Sequence, residues 1–184
     1  MNYYGARELS ASFRTVRSNT ITIAEEIPEE KYGFRATVDT RSVAEMLVHI
    51  AVSYRIQYQV HAVERRSTLG GVDFHALFRE ILAEEGVPRT KAHILDLLRN
   101  NGEIFAGWLA GLSDEFLGES VAIPMGPEPS SKSRFEMLLS VKEHEMHHRS
   151  QLMLIERLIG ITPHLTRQMQ ARVAEAQSPP KAQA

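Results

Sequence analysis

From Ser133 to Gly160 the chain repeats apolar residues at the helical period, and two histidines occupy places where a helix bundle would put leucine. On a helical wheel Met137, Val141, His144, His148, Leu152, Ile155 and Ile159 fall within about 80° of one another. A stripe of that kind must face other elements. Ser133 and Glu136 form the pattern of a capping box at its start, and Gly160 with Pro163 beyond is a stop signal.

The remaining patterns are also helical. A first helix is expected over Ala6–Glu26, with Leu9, Phe13, Val16 and Ile23 at helical spacing and Pro28 beyond its end. A second starts at Ser42, where Ser42 and Glu45 form another capping box, and is expected to run to about Arg66. Its apolar residues cover much of its circumference, as befits a helix inside a bundle. A shorter helix fits Asp73–Glu85, before Gly86 and Pro88. The third long helix begins near Thr90 and reaches Leu112. Gly102 and Gly107 lie within it, so either it is interrupted or another backbone approaches closely. The proline-rich stretch GESVAIPMGPEPSSK is a long loop with a brief extended piece at Ser120 to Ile123, and a last helix is expected from Thr162 to about Ala176. The expectation is an all-α four-helix bundle in one domain, residues 1–176, with a short extra helix and a long loop before the last long helix. Residues 177–184 read as a disordered tail.

Bulk properties narrow the function. The net charge of −2 provides no electrostatic case for nucleic acid or an anionic membrane. No run approaches the roughly 18 apolar residues of a membrane span. The polar N-terminus makes a signal peptide unexpected. With no cysteine there are no disulfides, thiolate nucleophiles or Cys-based metal sites, which fits a cytoplasmic protein. A small-molecule substrate is the partner that remains, and the apolar surplus on several helices is compatible with a homodimer.

The histidines carry the chemistry. His144 and His148 are i and i+4, so both rings point the same way about one turn apart and can grip one ion. His49 makes the same substitution in the stripe Met46, Val52, Ile56, Val60 of the second helix. If the two helices are neighbours, His49, His144 and His148 converge as three ligands of a divalent metal with an open coordination position. His147 is about 100° around the helix from His148 and ranks behind it. His61, His75, His93 and His164 are assigned to the surface or to ordinary packing.

Two other metal chemistries fail. His144-Glu145-Met146-His147-His148 matches H-E-x-x-H, the zincin signature. The downstream Gly and His of a metzincin are absent, with Gln151 and Leu154 in their places, and no sheet is expected beside the helix. A di-iron carboxylate bundle needs two E-x-x-H pairs, and Glu145 with His148 is the only one. Glu145 stays a candidate base acting on a water at the metal.

The segments RSVAEMLVHI around His49 and HEMHHRSQL from His144 resemble the DinB-like (DNA-damage-inducible) family of metalloenzymes. The family's late motif is similar to H-x-x-x-H-R-G-Q, from which Ser150 departs. The resemblance implies a four-helix bundle, metal ligands at His49, His144 and His148, zinc or nickel as the ion, and frequent dimers. It also implies an enzyme that is either a transferase or isomerase using a low-molecular-weight thiol as cosubstrate, or a hydrolase. A charged pocket for such a thiol needs Arg or Lys near the metal, and Arg149 is close in sequence. The alternative is a non-enzymatic metal-binding helical protein of the stress response.

Overall fold

A computed structural model of the chain describes residues 4–124 and 128–177. Four helical rods form the bundle. Helix α1 spans Ala6–Glu26, with Glu8 bonded back to the Gly5 amide. The second rod is α2 (Val43–Val52), α3 (Tyr54–Tyr58) and a π-helical turn at Gln59–Val63. Helix α4 (Phe74–Glu85) is short and lies against α2. The third rod is α5 (Lys91–Ala110) and the fourth α7 (Arg134–Leu158), with the small α6 (Asp114–Gly118) between them. Helix α8 (His164–Gln177) packs on α1. Both capping boxes form, with Ser42 accepting from the Glu45 amide and Ser133 from the Glu136 amide. Gly160 adopts φ +88° and closes α7 in a Schellman motif, with Ile161 N–H on the Glu156 carbonyl and Gly160 N–H on that of Arg157.

The expected continuous helix from Ser42 to Arg66 is divided. Its hydrogen bonding tightens at Ser53, then widens so that the Glu64 amide reaches the Gln59 carbonyl. The wide turn buries His61, which meets Gln57 through Nε2 at 2.9 Å and Arg134 through Nδ1 at 2.9 Å. His61 is thus a fully buried link between the second rod and the start of α7. The long loop holds the expected extended piece as β1 (Ser120–Ala122). It pairs antiparallel with a strand not anticipated, β2 (Ser131–Ser133), with Ser120 opposite Ser133. Of the expected disordered tail, Gln177 closes α8, and 178–184 lie outside the described residues.

The core has two apolar regions. One gathers Ile23, Leu47, Ile50, Ile94, Leu98, Leu152 and Ile155, and the other Leu9, Phe13, Phe105, Leu109, Leu138 and Val141. On α7 the residues between Val141 and Leu152 include His144, Glu145 and His148, so a polar layer separates the two regions. At its centre Arg17 is ion-paired with Glu145, and both are almost fully buried. The guanidinium donates from Nε and Nη2 to Glu145, from Nη1 to the Leu98 carbonyl and from Nη2 to the Ile50 carbonyl. Thr20 adds a 2.7 Å hydrogen bond to the same carboxylate. One side chain therefore ties all four rods together.

Helix α5 is uninterrupted, and Gly102 is explained by a side chain rather than a backbone. A Cβ there would lie 2.9 Å from Arg17 Cγ and 3.3 Å from its Nη1. Because Arg17 is held at five acceptor contacts, it has little freedom to yield. Gly102→Ala is therefore expected to destabilise the fold by about 1–3 kcal/mol from overpacking, offset by roughly 1 kcal/mol of helix propensity. Urea unfolding measures this, and a variant clearly more stable than the parent would contradict the packing described.

Candidate metal centre

The i, i+4 spacing on α7 sets His144 and His148 one above the other, and α2 carries His49 to meet them. His144 Nε2 lies 3.1 Å from His49 Nε2 and 3.1 Å from His148 Nε2. The three residues offer ligand atoms that all lie within 4.8 Å of one another. The structure thus brings together the three histidines singled out in the sequence.

The other ring nitrogens explain the geometry. His49 Nδ1 is 2.8 Å from Glu85 Oε1, and His148 Nδ1 is 2.8 Å from Gln151 Oε1. His144 Nδ1 is 3.4 Å from Ser53 Oγ. A carboxylate only accepts, so His49 carries its proton on Nδ1, and the carbonyl oxygen of Gln151 assigns His148 the same way. With Ser53 accepting from His144, three Nε2 lone pairs face one another. Neutral imidazoles so arranged repel unless a cation lies between them. Tetrahedral coordination at about 2.0–2.1 Å spaces donor nitrogens about 3.3 Å apart, close to the two 3.1 Å separations about His144. The donor set fits a divalent ion, with Glu85, Ser53 and Gln151 fixing tautomer and ring orientation.

Electrostatics keep His144 and His148 ready to bind. Burial, then the neighbouring histidines and Arg41, lowers His144 to about 4. Burial again leads for His148, also about 4, against a raising contribution from Gln151. Glu85 is pushed up by burial, but hydrogen bonds from His49 and Arg41 outweigh this and leave it below its ordinary value. Arg41 Nε sits 2.6 Å from Glu85 Oε2.

Two openings flank the centre. A cavity of about 370 Å³ reaches His49 and His144, and its lining of ten residues contains no charged side chain. A cleft of about 580 Å³ reaches His148 and Glu85 and carries Arg35, Asp39, Arg41 and Glu45. Both arginines there are ion-paired, Arg35 with Glu45 and Arg41 with Glu85.

Other expectations resolve differently. Glu145, expected as a candidate base at the metal, is committed to other partners. It is 2% exposed, and its carboxylate is taken up by Arg17 and Thr20. One residue along a helix is a rotation of about 100°, enough to turn Glu145 into the bundle while His144 faces α2. His147 is exposed, beside His148 and Gln151. Arg149 is half-buried with its Nε unpartnered, within the field of Glu145. His164 is buried, its Nε2 3.2 Å from Asn19 Oδ1. Three supporting residues were missed, Ser53 among them. Gln151 carried a local signal, three residues after His148 in the late motif. Glu85 carried none, because it ends a separate helix 36 residues from His49.

The sequence profile of the DinB superfamily matches residues 12–152, and the chain belongs to that superfamily. None of the curated proteins compared matches it. Solved structures that share its fold include the following three. A structural-genomics protein from Streptococcus pneumoniae has TM-score 0.66 and 16% identity, over 85% of this chain and 93% of its own. An uncharacterised protein from Clostridium difficile 630 has TM-score 0.66 and 13% identity, over 86% and 99%. YfiT from Bacillus subtilis, described as a probable metal-dependent hydrolase with an unusual four-helix bundle topology, has TM-score 0.65 and 14% identity, over 88% and 91%.

Two predictions test this site. Glu145→Gln leaves the Arg17 charge buried without its counter-ion and is expected to destabilise by about 3–5 kcal/mol. Its affinity for zinc should stay within a few-fold of the parent, and a large loss of zinc binding with unchanged stability would return Glu145 to the metal. The second concerns pH. His144, His148 and His61 titrate near 4 in the fold and at their ordinary 6.5 when unfolded, burial being the leading cause for each. Between those values the unfolded chain binds more protons, so their contribution is full above pH 6.5 and lost as pH falls toward 4. Glu156 opposes them, since burial and then Glu26 push it up to about 7. In a Glu156→Gln background without metal, the urea midpoint should drop between pH 7 and pH 5. A flat midpoint would contradict neutral, buried imidazoles.

Proposed function

We propose that this member of the DinB superfamily is a divalent-metal-dependent hydrolase, with zinc or nickel held by Nε2 of His49, His144 and His148. The observation that carries the proposal is the convergence of three Nε2 atoms whose rings are each tied at Nδ1. A closed structural site would have a fourth protein ligand. Here three donors stand beside two openings, the pattern of a catalytic site. The ion would supply Lewis acidity, lowering the pKa of a water or thiol that reaches it.

The protein's own residues prepare that chemistry. Glu85 keeps the proton on His49 Nδ1, and Arg41 holds Glu85 in place. Gln151 and Ser53 orient His148 and His144. Burial keeps His144 and His148 unprotonated at neutral pH, so no proton must leave them for ligation. Hydrolysis is favoured over thiol transfer by the charged cleft. Both of its arginines are engaged by carboxylates, and Asp39 adds a further negative charge. Neither Arg35 nor Arg41 is free to receive the carboxylates of an anionic thiol. The description of YfiT as a probable metal-dependent hydrolase supports the same choice.

The test is a panel of esters, amides and lactones assayed with zinc- or nickel-loaded protein, with and without low-molecular-weight thiols. Turnover with water as nucleophile is expected, falling at least about 100-fold in His144→Ala and on chelation, and returning with added metal. Turnover only with a thiol would make the protein a transferase. No metal-dependent turnover with either water or a thiol would favour the non-enzymatic metal-binding alternative.

A further inference from the structure

The cavity beside His49 and His144 is unlike the charged cleft on the other side of the centre. Its walls are Ile56, Phe74, Phe78, Ile81 and Val141, contributed by α3, α4 and α7. The polar side chains that reach it are already engaged within the protein. Ser140 Oγ donates to the Met137 carbonyl at 2.6 Å, Ser53 Oγ meets His144, and the Gln57 carbonyl oxygen accepts from His61. The two phenylalanine rings lie 6.3 Å apart, tilted by 32°. Ile81 and Val141 are buried at the inner end, whereas Phe78 is 51% exposed at the rim. An apolar wall that leads from solvent to the metal ligands binds hydrocarbon and repels charge.

We infer that the metal centre acts on substrates carrying an apolar alkyl or aryl group, seated against Phe74, Phe78, Ile56 and Ile81, with the reacting polar atom beside His49 and His144. This rests on the metal-dependent function proposed above and adds the substrate class to it. The volume of about 370 Å³ lies within the range of small-molecule sites and holds a medium-length chain or a single aromatic ring. The orientation follows from the lining: the only groups in the cavity able to meet an ion are the two imidazoles, so the polar end of the ligand must lie inward. Helix α4 is the specificity element. It supplies Phe74, Phe78 and Ile81 to the cavity, and its last residue, Glu85, orients His49.

The experiment uses full-length protein loaded with Co(II), whose visible spectrum reports ligands at the metal. Acetohydroxamate, butyrohydroxamate and hexanohydroxamate are titrated, because each presents the same metal-binding head on a longer chain. Affinity is expected to rise roughly threefold to fourfold per buried methylene, so hexanohydroxamate should bind at least tenfold more tightly than acetohydroxamate. Phe78→Ser, a substitution at the exposed rim, should cut the hexanohydroxamate affinity at least fivefold and leave acetohydroxamate unchanged. Leu158→Ser, equally exposed on α7 but outside the cavity, should change neither. A Co(II) spectrum that responds to acetohydroxamate with no gain from chain length, or a gain indifferent to Phe78→Ser, would overturn the apolar substrate class while leaving the metal centre standing. A second copy of the chain covering the cavity would give that same flat series. Absence of any Co(II) spectrum dependent on His144 would overturn the metal reading and this inference with it.

Discussion

The buried pair between Arg17 and Glu145 is the constraint on which the rest of the bundle depends. Its guanidinium reaches a carboxylate on α7 and carbonyls on α2 and α5, from a start on α1. An ion pair taken out of water is weak evidence for net stability, since desolvation consumes much of the attraction. Its consequence here is geometric. Glu145 is the residue next to His144, and Ile50, whose carbonyl Arg17 holds, is next to His49. Fixing those neighbours fixes the rotation of α7 and α2 about their own axes. The imidazoles themselves are then oriented by Glu85, Ser53 and Gln151.

That arrangement makes the middle of the bundle polar while both flanking regions stay apolar. On one side of the layer the Arg17–Glu145 pair is satisfied by Thr20 and two backbone carbonyls. On the other side three imidazoles are satisfied at Nδ1 and left open at Nε2. The apolar regions anchored by Ile23, Ile94 and Leu98, and by Phe13, Phe105 and Leu109, supply the burial that makes such a layer tolerable. A site with unpaired acceptors can persist because the surrounding rods hold it. Among the described residues no helix is long and apolar enough to cross a membrane.

Much of the site was legible because histidine on a core stripe breaks an apolar pattern that the helical period makes explicit. His49, His144 and His148 emerged from spacing alone, and so did the capping boxes and Gly160. What was not legible depends on residues distant in sequence. The role of Glu145 turns on Arg17, 128 positions away, and adjacency to His144 in H-E-x-x-H pointed to the wrong partner. Gly102 signalled a close approach, but only packing shows that Arg17 fills the space. Glu85 sits on a helix whose relation to α2 no local pattern reveals. The π turn of the second rod lies where His61 meets Arg134, again a contact between distant segments.

The central claim is that His49, His144 and His148 hold one divalent ion through Nε2. X-ray absorption spectroscopy on untagged protein reconstituted with zinc tests it most directly. The account predicts three nitrogen donors at about 2.0–2.1 Å with the outer-shell pattern of imidazole, and one imidazole fewer in His49→Ala. A zinc environment of oxygen donors alone, or one unchanged by His49→Ala, would contradict it.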